Sequence, residues 1–255
     1  MIDFKSLGKC DLHMHTTYCD GKSSAEQMVL SAIEKGLDTV GVATHSFTSM
    51  DNLYCIKKED IKPFQQEVRA LKEKYKDKIR VLCGVEQEYI SECSTDGFDY
   101  VIGSVHYFIV DGKYSHVDHS PEYFHNSVKN LFGGDYYAAA ENYFSLVENV
   151  VEKTGADIIG HFDLVDKFNE GGKLFDVNHP RYVAAYQKAL DKLLKTGKPF
   201  EINTGAISRG YRTAPYPHEN IYKIIKERGG KFILSSDAHH ADNVAYQFDI
   251  WQKLL

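Results

Sequence analysis

No stretch of this sequence approaches the roughly eighteen uninterrupted apolar residues that a membrane-spanning helix requires, and the opening MIDFKSLGKC has no apolar signal core. A cytoplasmic protein with no membrane partner is therefore expected. CxxC spacing is also missing. The five cysteines, Cys10, Cys19, Cys55, Cys83 and Cys93, are odd in number within 255 residues, which speaks against a disulfide framework and for reduced thiols. Lysine and arginine are not gathered into a stripe that could follow a phosphate backbone, and the formal net charge is −6. Nucleic acid is disfavoured as a partner. No linker, low-complexity tract or repeat divides the chain, so residues 1–255 are expected to form one domain.

What is present is a core-forming pattern. Seven short runs rich in Val, Ile, Leu and Phe recur at 9–15, 38–45, 78–89, 98–106, 156–163, 199–207 and 231–239. Their apolar residues are nearly continuous rather than alternating, as in parallel strands buried on both faces. Between most of them lie segments with helical apolar spacing, at 24–35, 59–75, 135–154, 178–196 and 218–228. Ser23 or Ser24 precedes the first, Pro180 opens the fourth, and Gly36, Gly197 and Gly229 mark stops. Alternation of strand and helix predicts an α/β fold, either a closed parallel barrel or an open doubly wound sheet. The polar and aromatic segment 107–134 breaks the pattern and reads as a loop or lid.

Histidine is unusually frequent, with twelve copies. Nearly every proposed strand ends in a side chain able to bind metal: His13 and His15, His45, Glu86 with Glu88 as a further candidate, His106, His161 with Asp163, and Asp237 with His239. Only the sixth strand lacks one. A parallel barrel gathers its carboxyl ends at one face, so ligands distant in sequence would converge. Residues i and i+2 of a strand point to the same side, which lets His13 pair with His15 and Asp237 with His239. A nitrogen and carboxylate donor set suits Zn, Mn or Fe. Several such ions would activate water and stabilise the attacking and leaving oxygens of an in-line phosphoryl displacement.

DLHMHTTYCDG at 11–21, ATHS at 43–46, GVEQEY at 84–89, GSVH at 103–106, GHFD at 160–163 and SSDAH at 235–239 together resemble the polymerase and histidinol phosphatase (PHP) family. The resemblance implies a distorted (β/α)7 TIM-like barrel holding three divalent metal ions. By motif position, His13, His15, Glu86 and Asp237 would hold one ion; Glu86 would bridge to a second held by His106 and His161; Asp20, His45 and His239 would hold the third. Asp20 and the stretch EINTGAISRGYRTAPYP at 201–217 are similar to the histidinol-phosphatase branch. That branch implies a phosphomonoesterase converting L-histidinol phosphate to L-histidinol and phosphate in histidine biosynthesis, with broader action on nucleotides or sugar phosphates as the alternative. Arg209 and Arg212 become phosphate-binding candidates, because a guanidinium fork matches phosphate oxygens, and Lys167 is a third. Asp163, two residues beyond a candidate ligand, is the candidate general acid. His116, His119 and His125 read as solvated loop histidines, His179 and His218 as structural residues at helix starts, and His240 is left open.

Overall fold

The computed structural model describes residues 2–50 and 53–255. Strand β1 (Cys10–Asp11) leads through α1 (Ala25–Glu34) to β2 (Thr39–Val42), then α2 (Ile61–Lys74), β3 (Arg80–Glu88) and β4 (Tyr100–Ser104). A hairpin of β5 (Tyr107–Val110) and β6 (Lys113–His116) follows, then α3 (Pro121–Phe132), α4 (Tyr136–Val147) and α5 (Val150–Thr154). The chain continues through β7 (Ile158–Ile159), α6 (Pro180–Leu193), β8 (Phe200–Asn203), α7 (Gly205–Ser208), α8 (Glu219–Glu227), β9 (Phe232–Ser235) and α9 (Phe248–Trp251).

Seven strands pair in parallel in the order β1-β2-β3-β4-β7-β8-β9. Beyond β1 and β9, Met14 bridges Ala238, and the His15 N–H donates to Ala238 O at 2.8 Å. This contact joins the outer strands and makes the sheet a distorted (β/α)7 barrel. Each strand lies inside one of the seven apolar runs, because helices cover the outside and side chains fill the inside. Tyr100 is one such filler: its hydroxyl donates to Leu12 O at 2.5 Å. A Cβ at Gly41 or Gly84 would come within 2.2 or 2.1 Å of the Tyr100 side chain, which explains glycine inside two central strands.

Helix ends follow local chemistry. Ser24 caps α1 in a reciprocal capping box with Gln27, and Pro180 stands in the first turn of α6. The single helix expected over 135–154 is two. Asn149 Nδ2 donates to Ser145 O at 2.8 Å, taking the carbonyl that its own N–H would use in a continuing helix, and that N–H turns to Leu146 O.

Two other expectations are corrected. The sixth strand stops at Asn203, whose Oδ1 accepts the Gly205 N–H at 2.9 Å and starts the helical turn α7. Segment 107–134 is not a loop. Asp111 and Gly112, with φ of 48° and 73°, make the tight turn of the β5–β6 hairpin, and Ser120 caps α3 ahead of Pro121. Phe108, Val117, Phe124 and Val128 seat this unit in the largest core cluster. At the opposite end of the barrel, a cavity of about 780 Å³ beside Cys10, Ile233 and Phe248 contains none of the candidate ligands.

Candidate active site

The carboxyl ends of the strands deliver all nine candidate ligands to one place. His13 and His15 follow β1 and flank the buried Met14, so both imidazoles face inward while Met14 packs outward with α1 and α2 residues. Asp237 and His239 flank Ala238 in the same way after β9. Asp237 sits at φ 49°, a left-handed conformation that costs a non-glycine residue on the order of 1–3 kcal/mol and concentrates at functional sites.

Glu86, on β3, is the hub. Its Oε2 lies 2.8 Å from His45 Nδ1, 3.2 Å from His13 Nε2 and 3.4 Å from His15 Nε2. Its Oε1 lies 3.0 Å from His161 Nε2 and 3.5 Å from His106 Nε2. Asp237 Oδ1 is 3.4 Å from His15 Nε2, and Asp20 reaches His239 Nε2 at 3.1 Å and His45 Nε2 at 3.6 Å. Among the described residues, three groups could each hold an ion: His13, His15 and Glu86; His45, Glu86 and His106; and His15, Asp20, His45 and His239. His15 and His45 therefore each belong to two groups, where motif position gave each to one.

Burial raises the Glu86 carboxyl, but the imidazoles of His13, His45 and His106 outweigh it and hold the group well below the usual carboxylate range. Burial would likewise deprotonate His106, yet Glu86 and Glu88 lift it to about 9. Asp237 is held well below its ordinary value against burial by Arg209 and His13. Asp20 Oδ1 and Glu86 Oε2 are buried, and their imidazole contacts lack the geometry of a hydrogen bond. Unsatisfied lone pairs in a pocket of imidazoles and carboxylates fit bound cations.

A second layer of carboxylates stands behind these groups. Glu88 accepts from His106 Nδ1 at 2.7 Å and from the His106 N–H at 3.0 Å, so it holds a candidate ligand in place. Glu201, on β8, contacts His13 Nδ1 at 2.7 Å. The sixth strand thus does supply the site, from beneath. A charge inside the apolar run PFEINT was the available signal, since a carboxylate on a strand buried on both faces must have partners.

The open part of the site is a cavity of about 260 Å³ walled by Asp20, His45, His106, His161, Asp237 and His239 together with Arg209, Lys167, Asp118, Tyr54, His116, His119, Tyr211 and Leu164. Arg209 donates to Asp237 Oδ2 at 2.9 Å and contacts His239 Nδ1 at 3.0 Å. Lys167 Nζ pairs with Asp118 Oδ2 at 3.0 Å. Asp118, His116 and His119 come from the 107–134 unit, so two histidines read as solvated wall the cavity. Tyr54 and His116 are linked across it at 3.3 Å.

Two candidates lie elsewhere. Arg212 is buried against Asp166 Oδ2 at 2.7 Å and lies over the Tyr216 ring; it lines a separate cavity with Asn169 and His218. Asp163 is fully buried, accepts the His218 N–H at 2.8 Å and is absent from the cavity wall. Strand β7 ends at Ile159, so the alternation that would have aimed Asp163 with His161 no longer applies. His125 pairs with Tyr136 on the surface. His179, His218 and His240 each cap a helix start.

A parallel barrel with imidazoles and carboxylates crowded at its carboxyl mouth belongs to the class of barrel proteins equipped to bind metal. The PHP domain model matches residues 11–205. The chain belongs to the PHP domain family. It is 27% identical to a probable histidinol-phosphatase of Schizosaccharomyces pombe, over 95% of this chain and 84% of that one. It is 25% identical to the histidinol-phosphatase of Bacillus subtilis, over 95% and 98%. The fold matches a histidinol phosphate phosphatase structure from Lactococcus lactis, complexed with Zn, L-histidinol and phosphate, at 22% identity and TM-score 0.69 over 98% of this chain and 94% of that one. A Listeria monocytogenes structure provisionally named a histidinol phosphatase matches at 20% identity and TM-score 0.85, over 95% and 100%.

Proposed function

We propose that this protein is a metal-dependent phosphomonoesterase that hydrolyses L-histidinol phosphate to L-histidinol and phosphate, as a step of histidine biosynthesis. The observation that carries the reading is the gathering of nine imidazole and carboxylate side chains with Glu86 as their hub, and with Arg209 and Lys167 in the same cavity. Relatives named histidinol-phosphatase match nearly the whole chain, and the Lactococcus structure holds Zn, L-histidinol and phosphate.

His13, His15, Glu86 and Asp237 would hold one divalent ion, Glu86, His106 and His161 a second, and Asp20, His45 and His239 a third. The nitrogen and oxygen donors suit Zn, Mn or Fe. Bound ions of this kind supply an activated water and neutralise phosphate charge. Around them the protein's own residues orient the ester. The Arg209 guanidinium, fixed by Asp237, presents remaining N–H groups to phosphate oxygens, and Lys167 adds a second cation to the wall. Arg212 and Asp163, in this reading, support the fold beside the site. His116, His119, Tyr54 and Tyr211 enclose the side away from the barrel floor and limit what leaving group fits. The whole occupies one domain, with the 107–134 unit as an insertion that walls the cavity.

The test is a panel of phosphate esters offered to the purified chain with added Mn²⁺ or Zn²⁺. L-histidinol phosphate should be turned over with kcat/KM far above nucleoside monophosphates and sugar phosphates. Equal rates on all of them would replace this reading with a general phosphoesterase.

A further inference from the structure

We propose that Glu201 is a positioning residue that sets the tautomer of His13 and so governs how tightly the adjoining ion is held. The argument begins from counting donors. Glu201 is 1% exposed and sits in the middle of β8, beneath the cation-binding groups. Its Oε1 lies 2.7 Å from His13 Nδ1. Its Oε2 accepts the His161 N–H at 3.0 Å and Asn203 Nδ2 at 3.0 Å. The Asn203 amide orientation follows from its other end, where Oδ1 accepts the Gly205 N–H. With two fixed donors on Oε2, the carboxylate cannot rotate away from His13.

A carboxylate offers only acceptors, so His13 must present Nδ1–H to it. The lone pair is then confined to Nε2, the nitrogen that lies 3.2 Å from Glu86 Oε2 and 3.1 Å from His15 Nε2. Carboxylates behind a liganding histidine fix ring and tautomer in this way, and their loss weakens metal binding roughly 10–100-fold. Glutamine at 201 is nearly isosteric. Its oxygen can keep both the His161 N–H and Asn203, but its NH₂ then faces Nδ1 and selects the opposite tautomer, with a proton on Nε2 pointing at the ion. The fold keeps its contacts while one site loses its donor.

The experiment is Zn²⁺ titration of the metal-stripped full chain against a competing chelator, for the parent, Glu201→Gln, His13→Ala and the double variant. Glu201→Gln should weaken one Zn²⁺ site roughly 10–100-fold, with the metal-free chain still folded by circular dichroism. In the His13→Ala background the same substitution should change Zn²⁺ affinity little, since the ring it orients is gone. Should Glu201→Gln fail to fold, Glu201→Asp, whose carboxylate retracts by one methylene, replaces it in the same cycle. Unchanged affinity in Glu201→Gln, or an equal loss with and without His13, would overturn the proposal. Because the readout is Zn²⁺ binding, the result stands apart from which phosphate ester the site accepts.

Discussion

Arg209 and Arg212 lie three residues apart in one segment and end in different surroundings. Arg209 faces the cavity and is anchored on Asp237, whereas Arg212 is sealed against Asp166. Their substitutions should therefore separate. Arg209→Ala removes a charge-assisted bond worth about 1.5–3 kcal/mol, so kcat/KM on L-histidinol phosphate should fall roughly 10–150-fold, mostly through KM, with the chain still folded. Arg212→Ala leaves Asp166 without its buried partner, at a cost of about 3–5 kcal/mol of stability, and should lower the thermal midpoint while turnover per folded molecule stays near the parent's. Steady-state kinetics beside calorimetry check both; a catalytic loss confined to Arg212→Ala would reverse the assignment. Nothing in the spacing of basic residues around TGAISRGYRTAP distinguishes the two arginines. Which one reaches the site is decided by the helical turn α7, which the apolar run at 199–207 concealed.

At the level of elements, the strands were legible because parallel strands under helices must be apolar on both faces, and their carboxyl ends were legible because imidazoles and carboxylates stand out after such runs. His13–Met14–His15 and Asp237–Ala238–His239 needed only the two-residue period of extended chain. That period misled at Asp163, since β7 is two residues long and the chain leaves extended geometry before reaching it. The 107–134 unit was obscured for a different reason. Its glycines and proline resembled loop punctuation, yet Asp111-Gly112 form a hairpin turn and Pro121 a helix start, and the anchoring apolar residues are spread over β5, α3 and the link before α3, with no single periodic run to mark them. Asp118, His116 and His119 became site residues only once that unit was seen to lean on the barrel mouth. Glu88 was legible as a further candidate and Glu201 as a charge inside an apolar run, but the supporting role of each is recognised only by the histidine it touches.

Across the whole molecule, the barrel concentrates opposite charges that unfolding would disperse, and this gives the protein a pH signature. His106 rises from about 6.5 in the open chain to about 9 when folded, because Glu86 and Glu88 outweigh its burial. A raised folded-state value means that this stabilisation is complete below about pH 6.5 and is lost as pH climbs through about 9. The metal-free chain should accordingly lose thermal stability from this group across that window. Cations must displace protons from the same imidazoles, so the gain in thermal midpoint on adding Mn²⁺ or Zn²⁺ should grow with pH over the same range. Thermal scans with and without metal check this, and a metal-induced gain that is greatest in acid would contradict it.

The most direct test of the account is metal per chain measured by elemental analysis together with hydrolysis of L-histidinol phosphate, before chelation, after chelation and after restoring Zn²⁺ or Mn²⁺. The account predicts three ions per chain, turnover that vanishes with their removal and returns with them, and loss of both metal and turnover in His15→Ala and Asp237→Asn. Full turnover in a chain stripped of metal, or metal-free preparations of the parent that bind none when supplied with it, would contradict the account.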